Sequence, residues 1–193
     1  MRVIAIADTH VPDFARALPA GLARDLASAD LILHAGDVTS AGVLDDLARY
    51  APVRVAFGNN DRPQVRRWGA REVVRVDLDG VPTVLVHDAG PRLGRAARLA
   101  RRFPEARLVV FGHSHVPLVE RAGRLWLVNP GSPTWKRRQP FPTYAVLTVR
   151  AGRLRVTIRA LEPAKNGGNS GVRRAPARPV RDAKPLHKTV SER

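Results

Sequence analysis

Short apolar runs that end in polar residues recur along the first half of the chain. Three of them lie at residues 2–7, 31–33 and 53–57. Each is rich in aliphatic side chains, which is typical of strands that are buried on both faces of a parallel sheet. Apolar residues at helical spacing lie between them, over 41–49 and over 14–27, where Pro19 and Gly21 interrupt the pattern. The alternation predicts an α/β fold with a largely parallel sheet.

From residue 71 the pattern predicts hairpins as well as strand–helix units. Residues 71–88 form two β-rich runs with a turn at Gly80, as a β-hairpin does. Helical spacing follows over 94–103, and a buried strand follows over 107–112. A last hairpin is predicted over 143–160. We therefore expect two sheets covered by helices, a two-sheet αββα sandwich.

The folded domain is predicted to end at residue 161. Residues 162–193 are rich in Pro, Gly, Ala, Arg, Lys and Ser and lack hydrophobic periodicity, so they cannot bury enough apolar surface to offset the entropy of ordering. We predict that 1–161 is a single domain and that 162–193 is a disordered basic tail. The net charge of the chain is +16, which attracts anions. It predicts weak nucleic-acid binding through the tail, although a general preference for arginine explains the charge equally well.

Composition limits the chemistry of any site. There is no cysteine, so disulfides, thiolate zinc sites and a cysteine nucleophile are excluded, and any metal must have nitrogen and oxygen ligands. No run of about 18 apolar residues occurs. The first apolar run breaks at Asp8 and lacks the cleavage site of a signal peptide. We expect a cytoplasmic protein with no membrane association, and the sequence indicates no oligomeric state.

Chemically reactive side chains follow five of the predicted strands. They are Asp8, His10, Asp37, Asn59, His87, His113 and His115. Ligands of α/β proteins bind at the carboxyl ends of strands, so these residues are candidates for one site. A pair of divalent cations requires a shared carboxylate with imidazole and oxygen donors around it, and the two oxygens of Asp37 suit the shared position. A single Asp or His at a strand end is more often a helix cap or a packed residue, and the joint occurrence of all seven favours the site.

These residues fall into five motifs whose order is specific. In chain order they are Asp8-Thr9-His10, Gly36-Asp37, Gly58-Asn59-Asn60-Asp61, His87 and Gly112-His113-Ser114-His115. Over about residues 1–160 the chain resembles the calcineurin-like metallophosphoesterases, and within them the small phosphodiesterases of the YfcE type. The turn Asn129-Pro130-Gly131-Ser132 is also similar to one that these small members carry. By itself it predicts a turn whose N–H groups are candidates for phosphate binding.

The resemblance implies a role for each motif. One metal ion would be held by Asp8, His10, Asp37 and His115, and the other by Asp37, Asn59, His87 and His113. Asp37 would bridge the two ions, with Asn59 and His87 also counted as catalytic, and a hydroxide between the ions would attack phosphorus in line. Manganese is the expected metal, and iron, zinc, cobalt or nickel also suit these ligands. Asp61 is expected to orient a neighbouring ligand.

Two departures from the family pattern bear on the substrate. Many relatives carry a His where this chain has Asn60, and close relatives often read His-Gly-His where it has His87-Asp88-Ala89. An amide cannot protonate a leaving group, so we expect a preference for activated phosphodiesters over phosphomonoesters. Asn60 and Arg137 are the predicted substrate-binding residues. Arg137 lies in a basic run beside Trp135, which otherwise predicts only a solvated loop.

Two other functions remain open from the sequence. One is a non-catalytic metal-binding scaffold on the same fold, although all seven ligand positions are filled. The other is a nuclease or nucleic-acid-binding protein, suggested by the charge, although the chain has no additional DNA-binding domain. His34 lies within the second apolar run and is expected only to pack.

Overall fold

The computed structural model describes residues 1–161, which contain ten strands and four α-helices. In chain order the strands are β1 (Arg2–Ile6), β2 (Leu31–His34), β3 (Val53–Val55), β4 (Val73–Asp77), β5 (Pro82–Val86), β6 (Leu108–Val110), β7 (Leu118–Ala122), β8 (Leu125–Asn129), β9 (Thr143–Arg150) and β10 (Arg153–Ala160). The helices are α1 (Ala23–Leu26), α2 (Ala41–Ala48), α3 (Pro63–Trp68) and α4 (Arg95–Arg102).

The strands form two mixed five-stranded sheets, as the sequence predicted. The first has the order β10-β9-β1-β2-β3, and the second has the order β4-β5-β6-β8-β7. Strands β1, β2 and β3 are parallel to one another, as are β5, β6 and β8, whereas each sheet also contains antiparallel hairpins. The parallel strands bring their carboxyl ends to one edge of each sheet.

Alternate residues of β1 show how the layers pack. Val3 and Ala5 belong to the apolar cluster between the two sheets, whereas Ile4 and Ile6 belong to the cluster under α1, α2 and α3. Helix α4 covers the outer face of the second sheet through Leu99. The layers are therefore helix, sheet, sheet, helix, and β1 is buried on both of its faces, which explains its continuous apolar sequence.

The prediction of a helix over 14–27 is wrong for the first half of that range. Helical structure is confined to a 3₁₀ turn at Ala20–Leu22 and to α1, because Pro19 cannot continue a helix and takes an extended backbone. Residues 11–14 form turns instead. The sequence analysis also missed α3, which begins at Pro63, where the fixed φ of proline suits the first turn, and it missed the exposed edge strand β7.

The prediction for 162–193 falls outside the described residues. Within 1–161, no helix is long and apolar enough to span a bilayer.

Replacing Leu85 tests the packing between the sheets. Leu85 is fully buried in the cluster between them. We expect Leu85→Ala to lower the free energy of unfolding by about 2–5 kcal/mol, since the side chain leaves a cavity that its neighbours fill only in part. Urea unfolding at fixed metal concentration measures the change. Leu93 is 92% exposed, and the control Leu93→Ala should change the free energy by less than about 0.5 kcal/mol. Equal effects would contradict this arrangement of the core.

Candidate metal centre

The seven predicted residues meet at one rim of the sandwich. Asp8 and His10 follow β1, Asp37 follows β2, and Asn59 follows the bridge that extends β3. His87 follows β5, and the pair His113 and His115 follows β6. Both sheets therefore contribute side chains to the site, through strands that all run toward it.

The first group of donors is formed by Asp8, His10 and His115, whose ligand atoms all lie within 4.8 Å of one another. The Nε2 atoms of His10 and His115 are 3.3 Å apart, and His115 Nε2 is 3.6 Å from Asp8 Oδ1. All three side chains are buried. This spacing lets a single cation contact all three.

A second group contains Asp8, Asp37 and His87. His87 Nε2 is 3.4 Å from Asp37 Oδ2 and 2.9 Å from Asn59 Oδ1. His113 Nδ1 is 2.9 Å from the same oxygen of Asn59. Two clusters of Asp and His ligands thus lie side by side, as a binuclear metal site requires.

Asp37 belongs to the second group and also approaches the first, while Asp8 is common to both groups. The Oδ2 atom of Asp37 is 3.5 Å from His10 Nε2 and 3.4 Å from His87 Nε2. It is therefore in reach of imidazole nitrogens from both groups.

The backbone at the site is unusual. Asp8, His10, Asp37, His113 and His115 all have positive φ, between 46° and 68°. Non-glycine residues rarely take this left-handed conformation, and each instance costs on the order of 1 kcal/mol or more. Such strain persists where the surroundings impose it, and it clusters at functional sites. Here it turns five side chains inward within a few residues of their strands.

Burial and mutual charge shift the pKa values of these groups in opposite directions. Burial raises the pKa of Asp8 to about 7 and lowers that of His115 to about 4. Burial also opposes ionisation of Asp37 and His87. However, their hydrogen bond and attraction prevail, so the pKa of Asp37 falls below its usual value and that of His87 rises to about 9. Asp8 therefore lacks sufficient positive charge around it, whereas His87 compensates the charge of Asp37.

The donor set fits divalent cations. Asp8 Oδ2 is buried and has no hydrogen-bond partner among the described residues, and an unpaired buried carboxylate oxygen is costly unless a cation compensates it. Depressed pKa values at His10 and His115 leave their ring nitrogens with a free lone pair at neutral pH, as metal binding needs.

Hydrogen bonds behind the site fix the orientation of two imidazoles. His87 Nδ1 donates to the carbonyl of Ala35 at 2.9 Å, and His115 Nδ1 donates to the carbonyl of Trp135 at 2.6 Å. Each bond leaves Nε2 as the atom that faces the cluster. Gly36 is required beside His87, because a Cβ there would lie 2.6 Å from His87 Nδ1 and the φ of Gly36 is +89°.

The turn at Asn129–Ser132 fastens the site from outside. Ser132 Oγ donates to the carbonyl of Asp8 at 2.7 Å, and Thr134 Oγ1 donates to that of Thr9 at 2.6 Å. Asn129 Nδ2 donates to the carbonyl of Gly112 at 2.9 Å. Sequence reasoning predicted a turn whose N–H groups were candidates for phosphate binding, and it missed these side-chain hydrogen bonds to the site. The polar side chains at 129, 132 and 134 were the signal that could have indicated them.

Three further predicted residues have distinct positions. Asn60 donates to Asp37 from its backbone N (2.8 Å) and from Nδ2 (2.7 Å), so its amide holds the carboxylate in place. Asp61 accepts hydrogen bonds from the backbone N of Gly58 and of Thr39 and so joins two loops. Arg137 is exposed, with its guanidinium carbon 4.7 Å from the centroid of the Trp135 ring.

A separate cavity of about 400 Å³ lies between the edges of the two sheets, at β3 and β4. Arg54, Trp68, Arg71 and Arg75 line it, together with residues that contribute no metal donor. It contains none of the clustered Asp and His residues, and we assign it no part in the metal site.

His34 predicts how stability depends on pH. It is fully buried, its Nε2 is 3.1 Å from Thr9 Oγ1, and burial lowers its pKa to about 3. The unfolded chain protonates this residue near pH 6.5, so the contribution to stability is present above that pH and falls as the pH drops toward 3. We expect metal-free wild type to lose more free energy of unfolding between pH 7.5 and 5 than His34→Gln, measured by urea titration. An equal loss would contradict a neutral, buried His34.

A known protein family and two known proteins resemble this chain in sequence. The calcineurin-like phosphoesterase superfamily domain matches residues 1–152. A probable metallophosphoesterase of Methanocaldococcus jannaschii is 33% identical over 137 residues, which are 71% of this chain and 70% of that protein. One from Methanothermobacter thermautotrophicus is 31% identical over 166 residues, which are 82% of this chain and 91% of that protein.

Solved structures share the fold. Vps29 from Entamoeba histolytica in complex with zinc has a TM-score of 0.70 at 23% identity, covering 83% of this chain and 98% of that one. An archaeal phosphodiesterase has a TM-score of 0.63 at 18% identity, covering 82% of this chain and 100% of that one. The family match over most of the chain, the two curated relatives and the paired Asp and His clusters agree: this chain belongs to the calcineurin-like phosphoesterase superfamily and is a metallophosphoesterase.

Proposed function

We propose that this metallophosphoesterase is a phosphodiesterase that works with two divalent cations. The observation that carries the proposal is the position of Asp37 Oδ2, within 3.5 Å of His10 Nε2 on one side and 3.4 Å of His87 Nε2 on the other. The cations would supply Lewis acidity and activate water for attack on phosphorus in line with the leaving group.

The chain's own donors divide into two sets around Asp37. The first set is Asp8, His10, Asp37 and His115, and the second is Asp37, Asn59, His87 and His113. The distances among His10, His115 and Asp8 support the first set, and the convergence of His87 and His113 on Asn59 Oδ1 supports the second. Nitrogen and oxygen donors of this kind suit manganese, iron, zinc, cobalt or nickel, and we propose manganese.

Asn60 supports a diester with a good leaving group. Its amide cannot protonate a leaving group at neutral pH, and its backbone N and its Nδ2 each donate a hydrogen bond to Asp37. Asp88 binds the backbone N of Gly90, and Ala89 has no titratable group. Positions 60 and 89 therefore supply no general acid, and a leaving group that departs as a stable anion would react fastest. The archaeal phosphodiesterase with the same fold is consistent with this substrate class.

Loss of Asp37 tests the site. With chelator-treated protein, added manganese should restore hydrolysis of bis-p-nitrophenyl phosphate, and Asp37→Ala should lower kcat/KM by at least about 10³-fold, because both donor sets lose their shared carboxylate. Asp46 is a surface carboxylate whose side chain is 67% exposed, and the matched variant Asp46→Ala should keep wild-type activity. Bound metal without turnover of any ester, shown by elemental analysis and assay together, would favour a non-catalytic scaffold.

The substrate class has its own test. If the site is a phosphodiesterase, wild type should hydrolyse bis-p-nitrophenyl phosphate with a kcat/KM at least about tenfold above that for p-nitrophenyl phosphate. Both esters release p-nitrophenolate, so the comparison measures the effect of the second ester group alone. The advantage should widen with alkyl monoesters, whose leaving groups need a proton. Comparable values for alkyl phosphomonoesters and aryl diesters would contradict the diester assignment and would leave the metal site intact.

A further inference from the structure

Two aromatic side chains from distant parts of the chain stack face to face beside the candidate metal centre. The rings of Phe14 and Trp135 are parallel within 7°, with centroids 3.8 Å apart. We call this pair the aromatic shelf. The His10 ring meets both members edge-on, with centroids 5.5 Å from Phe14 and 5.2 Å from Trp135. Both rings of the shelf therefore contact His10, which is itself a proposed metal ligand.

The backbone fixes the shelf in place on both sides. The N–H of Phe14 donates to the carbonyl of His10 at 2.8 Å. The carbonyl of Trp135 accepts the Nδ1 proton of His115 at 2.6 Å. Each shelf residue is thus tied directly to a residue of the donor clusters, so the shelf keeps a constant distance from the site.

The shelf is open to solvent despite its apolar character. Phe14 is 58% exposed, although the fold buries most of its large apolar side chains. It does not belong to any of the three apolar clusters of the described residues. Trp135 covers one face of the Phe14 ring. The outer face of Phe14 is suited to a planar ligand, because stacking on a π-face is favourable in water and needs no hydrogen-bond match.

Arg137 supplies a positive charge at the same place. Its guanidinium carbon is 4.7 Å from the centroid of the Trp135 ring, and within the described part of the chain it forms no ion pair or hydrogen bond. Its backbone has a φ of 49°, so the loop turns sharply here. A free guanidinium beside a stacking surface and a metal cluster is suited to an ester that carries negative charge and a planar ring.

We propose that the aromatic shelf binds the base of a nucleoside phosphodiester while Arg137 binds an oxygen of its phosphate. This inference rests on the proposed phosphodiesterase function and names its substrate class. In a nucleoside phosphate one sugar separates the base from phosphorus, so a base on Phe14 leaves the phosphate over the donor clusters. Stacking does not distinguish among bases, so the shelf selects nucleosides without a strong preference for one of them.

Two diesters with the same leaving group test the shelf. Thymidine 5′-(p-nitrophenyl phosphate) carries a base, and methyl p-nitrophenyl phosphate does not. With manganese-loaded wild type we expect kcat/KM to be about 10-fold higher for the thymidine ester, mainly through KM, which corresponds to about 1.4 kcal/mol. Phe14→Leu should lower kcat/KM for the thymidine ester more than for the methyl ester and so reduce the ratio to about 1–2, and Phe14→Tyr should retain the ratio.

Two other variants serve as controls. Phe141 is an exposed aromatic residue, 47% accessible, and Phe141→Leu should keep the wild-type ratio. Arg137→Gln should lower kcat/KM for both esters by a similar factor, about 10-fold, because both carry the phosphate. A Phe14→Leu variant with the wild-type ratio, or one that loses the methyl ester equally, would overturn the proposal.

Calorimetry separates this inference from the proposed function. Manganese-loaded protein should bind adenosine 5′-monophosphate at least about 5-fold more tightly than ribose 5-phosphate, and Phe14→Leu should remove the difference. Hydrolysis of the methyl ester without a nucleoside preference would refute the shelf and retain the phosphodiesterase. If neither ester were hydrolysed, the phosphodiesterase would be refuted, and the ratio of the two binding constants would still decide for or against the shelf.

Discussion

The structure depends on how two buried carboxylates are held next to each other. Asp8 and Asp37 are both almost fully buried and share a cluster of ligand atoms with His87. Like charges at this distance repel, so protein groups compensate one carboxylate and leave the other short of partners. Asn60 and His87 hold Asp37, whereas Asp8 Oδ2 has no hydrogen-bond partner among the described residues. A pair of divalent cations would resolve this imbalance, and the left-handed backbone around the site would present the donors to them.

Much of the arrangement could be predicted from the sequence because parallel strands are easy to recognise and have a defined direction. Asp8, Asp37 and His87 each follow an apolar run, so strand direction made them candidates for one site, and the packing of the two sheets brings them together. The order of the five motifs then carried the family assignment. The alternation of β10 was also readable, since one face of that strand is exposed and the other is half-buried, whereas β9 is buried along most of its length.

Other features had no signal in a single sequence. The apolar spacing over 14–27 resembled that of a helix, but Pro19 interrupts it. Residues 11–14, which include Phe14, form turns instead. The stacking of Phe14 on Trp135 joins residues far apart in the chain, which no local pattern encodes. The left-handed conformation of His10 and His115 was equally hidden, since histidine has only a weak preference for it and tertiary contacts impose it here.

The origin of the donors has a mechanical consequence. Asp8, His10, Asp37 and Asn59 come from the first sheet, while His87, His113 and His115 come from the second. Metal ions held by donors from both sheets would link the two sheets to each other. Before the two sheets pack together, neither sheet alone would present the full set of ligands. Tight metal binding would therefore require the packed sandwich. Catalytic competence and correct folding would then be acquired in the same event, and a half-formed molecule would have no partial activity.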